Sequence, residues 1–189
     1  MQQIYVKSIG KLLSNKNKIA KELGIKISNR GREVFINGDA EKEYIGLKVL
    51  EAIDLGFTVE EALLLKNEEV LLQILNIRDL TKRKDLHEVR ARIIGTFGKT
   101  ISNLENLSNC FVALKDNNVG IIGDAEEIDE TILAIKSIIQ GSKQANVYAR
   151  LEREKKKKRV QKLVAIKDDT DEDNEEYSKD DDESEEKEE

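Results

Sequence analysis

The sequence predicts an α+β fold made of two similar halves, and three observations support this. Each half contains two short apolar stretches that a polar turn separates, and a helical pattern follows the second stretch at once. Closely matching phrases, Ile36-Asn37-Gly38-Asp39-Ala40 and Ile122-Gly123-Asp124-Ala125, stand at the same point of the two halves. Helical sequence also precedes each hairpin. Blocks of helix beside short antiparallel hairpins are typical of an α+β arrangement on small sheets.

In the first half, alternation of apolar and polar residues predicts the strands, and apolar residues at helical spacing predict the helices. The predicted elements are a helix at 14–23, strands at 23–28 and 33–38 around a turn at 29–32, and a helix that ends near Leu55. Asp39 is the expected N-cap of that second helix, because a short side-chain carboxylate can accept from the free N–H groups of the first turn. Gly56 is its expected stop.

Between the halves, Thr58 and Glu61 have the spacing of a capping box, which predicts a short helix through Leu65. The second half then repeats the pattern of the first, with one more helix. Its predicted elements are a strand within 70–80, a helix that leads into a glycine turn, a helix at 100–107, strands at 110–114 and 119–123, and a helix from Asp124 to Gly141.

Charge is distributed unevenly along the chain. The 189 residues are 37% charged and carry a net charge of −6, but residues 168–189 alone carry −13 and residues 1–167 carry +7. A last helix is expected from about Asn146, with the basic run Lys155–Arg159 inside it. From Asp168 the chain lacks the apolar residues needed for a core, which predicts a disordered acidic tail. A basic body of this kind favours a nucleic-acid partner.

Several classes of protein are excluded by composition. Cys110 is the only cysteine and His87 the only histidine, so neither an intramolecular disulfide nor a Cys/His metal cluster can form, and we expect no metal and no cofactor. His87 stands in the charged stretch 82–88 and is expected to be solvated. The sequence contains no cluster of catalytic groups, so we expect a protein that is not an enzyme. No apolar run approaches the ~20 residues that span a bilayer, and the N-terminus is unlike a signal peptide, so we expect a cytoplasmic protein.

The most informative stretch is the glycine turn within residues 90–100. Gly95 and Gly98 lie between two helical segments, and glycine lets a backbone approach a ligand closely. The helix that starts after Gly98 would direct its free N–H groups at the turn, where a phosphate can bind. Arg90, Arg92 and Lys99 add positive charge. Two glycines three apart also occur at helix corners that only need tight packing, but the cations and the hairpin that follows favour RNA.

A P-loop is excluded at the same place. Gly98-Lys99-Thr100 has the form of its last residues, but the pattern requires a glycine five positions before Gly98, and Ile93 stands there.

Residues 78–123 resemble a type I KH domain, and over roughly residues 1–152 the chain resembles the archaeal tandem-KH RNA-processing proteins. Those proteins are relatives of the eukaryotic factor Partner of Nob and of the KRR-motif processome component. The phrases that carry the resemblance are Gly56-Phe57-Thr58 with Ala62-Leu63-Leu64-Leu65, Arg92-Ile93-Ile94-Gly95 with Gly98-Lys99-Thr100, Ile121-Ile122-Gly123-Asp124, and Val147-Tyr148 with Leu151-Glu152.

The resemblance implies two tandem type I KH domains (βααββα), of which the first is degenerate, because Gly10-Lys11-Leu12-Leu13 stands where its loop would be. The implied domains are a degenerate KH domain at 1–56, a linker helix at 57–69, a second KH domain at 70–152, a basic segment at 153–167 and the acidic tail at 168–189. The implied RNA-binding residues are Arg90, Arg92, Ile94, Gly95, Thr96, Phe97, Gly98, Lys99, Thr100, Ile101, Leu104, and Phe111 or Val112.

The function implied by the resemblance is that of a non-catalytic assembly factor that binds single-stranded small-subunit rRNA near its 3′ end during ribosome maturation. The implied partners are that RNA, the endonuclease that trims the rRNA 3′ end, and an initiation-factor subunit. Two alternatives stay open: a general KH protein or chaperone that acts on mRNA, and a protein-interaction scaffold with weak RNA affinity. Phe97 favours the scaffold, because the middle residues of such loops are usually polar.

Overall fold

The structure is a computed structural model that describes the backbone of residues 2–177 and the side chains of residues 2–161. The chain divides into two compact units, residues 1–151 and residues 152–189. The acidic tail beyond residue 177 lies outside the described residues. The first unit contains both halves that the sequence predicts.

The first half forms a three-stranded antiparallel sheet with strand order β1-β3-β2, and two helices accompany it. Its elements are β1 (Gln2–Tyr5), α1 (Ile9–Leu23), β2 (Lys26–Arg30), β3 (Glu33–Asn37) and α2 (Ala40–Leu55). The apolar pattern of the sequence does not indicate β1, because only Ile4 of its four residues is partly buried. The strand is defined instead by its pairing with β3. Asp39 is the N-cap residue of α2 but makes no side-chain cap; its carboxylate pairs with Lys42 instead.

The second half forms another three-stranded antiparallel sheet, with order β4-β6-β5. The capping box is confirmed at the helix that leads into it: Thr58 Oγ1 accepts from Glu61 N at 3.2 Å, and Glu61 Oε2 accepts from Thr58 N at 2.7 Å. The elements are α3 (Val59–Leu63), β4 (Val70–Asn76), α4 (Ile77–Leu80), α5 (Leu86–Ile94), α6 (Lys99–Ser108), β5 (Phe111–Lys115), β6 (Asn118–Asp124), α7 (Ala125–Gln140) and α8 (Gln144–Tyr177).

Helix α8 begins two residues before the expected start and continues past Asp168, where we expected disorder to begin. The backbone is helical through Tyr177, so over residues 168–177 the structure differs from that expectation. The sequence offers a reason: Gly and Pro are the residues that usually end a helix, and neither occurs after Gly141. None of the described helices is long and apolar enough to cross a membrane.

Helix α2 lies between the two sheets, and this placement joins the halves into one unit. On one side, its buried residues pack with Val34 and Ile36 of the first sheet. On the other side, the same apolar cluster includes Ile122 of β6 and the half-buried Ala113 of β5. A second cluster fills the opposite face of the second sheet, beneath α5, α6 and α7. The second sheet is therefore covered on both faces.

A glycine makes the close contact between the halves possible. A Cβ on Gly120 of β6 would lie 2.7 Å from Phe57 Cε2 and 3.2 Å from Leu55 Cδ1. Phe57 is 2% exposed, so its ring is held in place and cannot easily move aside. The small residue in the middle of β6 lets the end of α2 and the residue after Gly56 pack directly on the sheet.

Gly120→Ala is therefore expected to lower the free energy of unfolding by about 1–3 kcal/mol, the usual range for overpacking. The measurement is urea unfolding followed by circular dichroism. Gly10→Ala is the matched control, because the space around Gly10 is empty and the residue is helical, so alanine should leave stability unchanged or raise it slightly. Equal unfolding midpoints for the two variants would contradict the packing role of Gly120.

Candidate nucleic-acid interface

The loop between α5 and α6 owes its shape to positive φ angles. Gly95 has φ 74° and Gly98 has φ 76°, and between them Phe97 has φ 54°. The glycines adopt these values freely, whereas the left-handed region costs a residue such as Phe97 roughly 1–2 kcal/mol. The result is one tight turn, in which the amide of Gly98 donates to the carbonyl oxygen of Gly95 at 3.3 Å. Phe97 stands at its tip and is 96% exposed.

The two glycines have different roles. A Cβ on Gly95 would lie 2.0 Å from Thr100 Oγ1 and 2.9 Å from Thr100 N, so any side chain there would collide with α6. A Cβ on Gly98 would meet nothing within 4 Å. Gly95 thus serves packing, as a helix corner requires, while Gly98 leaves open space in front of the first turn of α6.

The start of α6 offers free hydrogen-bond donors to that space. Its N-cap is Gly98, which has no side chain to accept from the first turn, and the first turn contains no acidic residue. The N–H of Lys99 already donates to the carbonyl oxygen of Thr96, so the N–H groups that follow it in the first turn remain for a ligand. Together with the positive end of the helix dipole they attract an anion. Lys99 is exposed beside them, and no salt bridge among the described side chains engages it. This geometry suits a phosphate.

Side chains remote in sequence hold the loop from behind. Gln144, at the start of α8, donates from Nε2 to the carbonyl oxygen of Arg92 at 3.1 Å and to Thr100 Oγ1 at 2.9 Å. Arg92 in turn donates from Nη2 to the carbonyl oxygen of Ser142 at 2.9 Å. No feature of the sequence singles out Gln144 or Ser142, because no local pattern indicates a contact between residues about fifty positions apart.

Some predicted site residues do lie on the surface around the loop. Thr96 and Lys99 are exposed, Ile94 is 40% exposed, and Ile101 is half-buried in the first turn of α6. Thr100 is only 3% exposed, so its role is to support Gly95 and not to meet a ligand.

Four other predicted residues are placed differently. Leu104 and Val112 are buried in the core beneath the helices, at 0% and 6% exposure, and support the surface from within. Phe111 pairs with Ile122, so the alternation of the strand turns it to the face that carries α2, away from α6. Arg90 donates to Asn117 Oδ1 at 2.7 Å and lies toward the β5–β6 turn. These four are not residues of the loop surface.

An acidic residue of α6 that the sequence did not single out contacts β5. Glu105 Oε1 accepts from the backbone N–H of Val112 at 3.0 Å. Burial raises the pKa of Glu105 above its ordinary 4.5, the hydrogen bond from Val112 opposes that shift, and the negative charge of Glu61 adds to it. The carboxylate thus provides a hydrogen-bond partner for a backbone N–H of the edge strand β5, although burial of its negative charge is unfavourable.

Cys110 is a free cysteine and is buried. Burial raises the pKa of the Cys110 thiol, whose sulfur packs against Gly123. No group of three or more His, Cys, Asp or Glu among the described residues could hold a metal ion.

The second half thus has the order β-α-α-β-β-α around a three-stranded sheet, not counting the one-turn helix α4, with a Gly-x-x-Gly loop between its first two longer helices. This arrangement defines a KH-type nucleic-acid-binding domain. Residues 71–156 match the model of the second PNO1 KH domain, described as a eukaryotic-type KH domain (KH-domain type I).

The chain belongs to the PNO1-like family of KH proteins. It is 31% identical over 156 residues to KH domain-containing protein MJ0443 of Methanocaldococcus jannaschii, a match covering 79% of this chain and 69% of that protein. It is 33% identical over 109 residues to the pre-rRNA-processing protein pno1 of Schizosaccharomyces pombe, covering 56% of this chain and 45% of that protein. The chain thus spans less than half the length of that eukaryotic relative.

Among solved structures, the chain is similar to one in a crystal structure of an a/eIF2alpha-aDim2p-rRNA complex from Pyrococcus horikoshii OT3. The TM-score is 0.76 at 31% sequence identity, and the match covers 82% of this chain and 94% of the other. That match covers most of the chain, whereas the family model covers residues 71–156.

Gln144→Ala is expected to lower the free energy of unfolding by about 1–2 kcal/mol, because it leaves the carbonyl oxygen of Arg92 and the buried Thr100 hydroxyl with one partner fewer. It should also speed amide exchange in residues 95–99. Asn146→Ala, an exposed change on the first turn of the same helix, is the control. Unchanged exchange in the loop would show that Gln144 does not hold it.

Glu105→Gln is expected to gain stability over the wild type as pH rises from 4.5 toward 7. At these pH values Glu105 keeps its proton more readily in the folded protein than in the unfolded protein. The wild type therefore loses stability as pH rises. The measurement is the unfolding midpoint at several pH values. Glu60→Gln should show the opposite trend below pH 4.5, because the neighbouring Lys18 lowers the pKa of Glu60 and the wild type therefore gains stability as pH rises toward 4.5. The same trend in both variants would contradict the burial of Glu105.

Proposed function

We propose that this protein is an RNA-binding factor of small-ribosomal-subunit maturation, which holds a short single-stranded segment of rRNA at the loop 95–98. The observation that carries the proposal is the open, uncapped start of α6 behind Gly98, in a chain that belongs to the PNO1-like KH family. A phosphate would accept from the free N–H groups while Lys99 neutralises its charge. Bases would then lie along Ile94 and Ile101, and the exposed ring of Phe97 would stack on one of them.

The relatives support rRNA as the target. The fission yeast relative is named a pre-rRNA-processing protein, and the P. horikoshii neighbour was crystallised with rRNA and a/eIF2alpha. We therefore propose small-subunit rRNA near its 3′ end as the ligand and an initiation-factor subunit of the a/eIF2alpha type as a partner. We propose further that the endonuclease that trims this end is a second partner, and that the protein acts in the cytoplasm without catalysing a reaction itself.

We also propose that the first half is a KH domain that has lost its loop, so that the chain comprises a degenerate domain at 1–56, a linker at 57–69 and an RNA-binding domain at 70–152. The three-stranded sheet with order β1-β3-β2 supports this, since β4-β6-β5 has the same order and the same antiparallel pairing. The first half has a single helix, α1, where the second has α5, the loop and α6.

Replacing Thr96 and Phe97 by aspartate is the direct test of the loop. The two carboxylates would stand where a phosphate binds, so affinity for a labelled 3′-terminal segment of small-subunit rRNA should fall at least tenfold. Fluorescence anisotropy at moderate salt measures it. Ser14→Asp with Asn17→Asp, at exposed positions of α1, is the matched control with the same change in charge. Equal binding by the loop variant and the wild type would refute the loop assignment.

Crosslinking in the cell, followed by sequencing of the attached RNA, tests the target. Reads concentrated at the 3′ end of small-subunit rRNA are expected. Reads scattered over many transcripts would favour a general RNA chaperone, and RNA at background level would favour a protein-interaction scaffold.

A further inference from the structure

The sheet of the first half has an outer face that no described helix covers. Strand alternation turns Ile27, Val34 and Ile36 inward, where they are buried against α1 and α2. The opposite residues form what we call the outer face. Its members are Gln3, Tyr5, Lys26, Ser28, Arg30, Glu33, Phe35 and Asn37, all exposed except the half-buried Phe35. The second sheet has no such face, because α2 covers its outer side.

Two of the eight aromatic residues of the chain lie together on this face. Phe35 is in the central strand, and Tyr5, which is 58% exposed, is on the neighbouring edge strand. In the register of β1 with β3, Gln3 pairs with Phe35 and Tyr5 pairs with Glu33, so the two rings are diagonal neighbours. Such neighbours are ~7–8 Å apart at their Cα atoms and within reach of one another. Aromatic side chains on adjacent strands of an open sheet can stack successive bases of a single strand.

Cations surround the two rings. Lys26 and Arg30 are on the same face, and no salt bridge among the described side chains engages either of them. Arg32, in the β2–β3 turn, donates from Nη1 to the hydroxyl of Tyr5 at 3.3 Å, which orients that ring and leaves the positive charge beside it. Glu33 is the only acidic residue on the face. Three positive charges against one negative charge favour a polyanion.

We propose that this outer face is a second surface for single-stranded RNA, on which Phe35 and Tyr5 stack bases and Lys26, Arg30 and Arg32 neutralise phosphates. Aromatic rings on a surface with cations beside them, here the half-buried Phe35 and the exposed Tyr5, are the groups by which proteins bind single strands without a preference for sequence. The proposal goes beyond the function assigned to residues 95–98, and it gives the half without a Gly-x-x-Gly loop an RNA contact of its own.

Substitutions of the rings and substitutions of the cations are expected to change RNA binding in different ways. Lys26→Gln with Arg30→Gln keeps the polar surface and removes two charges, so it should reduce the salt slope of binding by about 1.4. Tyr5→Leu with Phe35→Leu keeps apolar side chains and removes stacking, so it should lower affinity about tenfold and leave the salt slope unchanged. Fluorescence anisotropy with a labelled oligouridine longer than the ~4 nucleotides that a KH loop holds measures both quantities.

The measurement is made on the full chain, both with the natural loop and with Thr96 and Phe97 replaced by aspartate. With the altered loop, residual binding is expected, and either outer-face pair should lower it. Lys16→Gln with Lys21→Gln on α1 is the matched control for charge. An equal loss in this control, or no loss in the two outer-face pairs, would overturn the proposal. Loss of all measurable binding from the loop change alone would also overturn the proposal, because a second surface should retain some of it.

A second measurement does not depend on whether the variants fold. Photo-crosslinking of the wild-type protein to oligouridine that contains 4-thiouridine, followed by mass spectrometry of the peptides, locates the bound strand. Crosslinks to peptides that contain Tyr5 or Phe35 are expected. Crosslinks confined to the peptide with Phe97 would overturn the proposal. It would also be overturned if an acidic protein bound stably to the outer face and oligouridine did not displace that protein.

Discussion

The structure of the first unit depends on the packing of α2 between two three-stranded sheets. Because apolar residues on both sides of this helix are buried, the core of the first half is continuous with one face of the second sheet. The second half has a further core of its own beneath α5, α6 and α7. Gly120 and Phe57 show how tight this contact is, since there is no room between them for a methyl group. Small domains bury little surface alone, and a shared helix is an efficient way for two units of this size to stabilise each other.

This packing also determines which surfaces remain free for ligands. With α2 on one face of the second sheet and α5, α6 and α7 on the other, the second half can present ligand-binding groups only at its edges and at its helix termini. The loop 95–98 is such a place. The first half has its helices on one side only, so its other side stays open. One repeated architecture thus provides two different kinds of surface, a helix terminus in one half and a sheet face in the other.

The loop combines a strained conformation with a rigid support. Phe97 is held in the left-handed region, an unfavourable state that persists only if the surroundings enforce it. Thr100 packs against Gly95, and Gln144 fixes Thr100 and Arg92 from α8. The exposed ring and the open N-terminus of α6 are therefore preorganised, so that ordering the loop would consume little of the binding energy.

Local sequence is enough to predict the α+β class, the two hairpins and their following helices, the capping box at Thr58 and Glu61, and the position of the glycine loop. These depend on local chemistry: apolar periodicity, the short polar side chain before a helix, and the freedom of glycine at positive φ. The resemblance to KH proteins rests on the same local motifs, and the family is confirmed.

The packing of the helices against the sheet, in contrast, sets which residues near the loop are available to a ligand. Leu104 and Val112 have the apolar character of groove residues but are buried, and strand alternation turns Phe111 to the wrong face. Arg90 is directed to Asn117, and Gln144 reaches the loop from far along the chain. The sequence pattern also gave no indication of the open sheet face around Phe35. Burial and long-range hydrogen bonds depend on how whole elements pack, and that information is not contained in the spacing of residues along one segment.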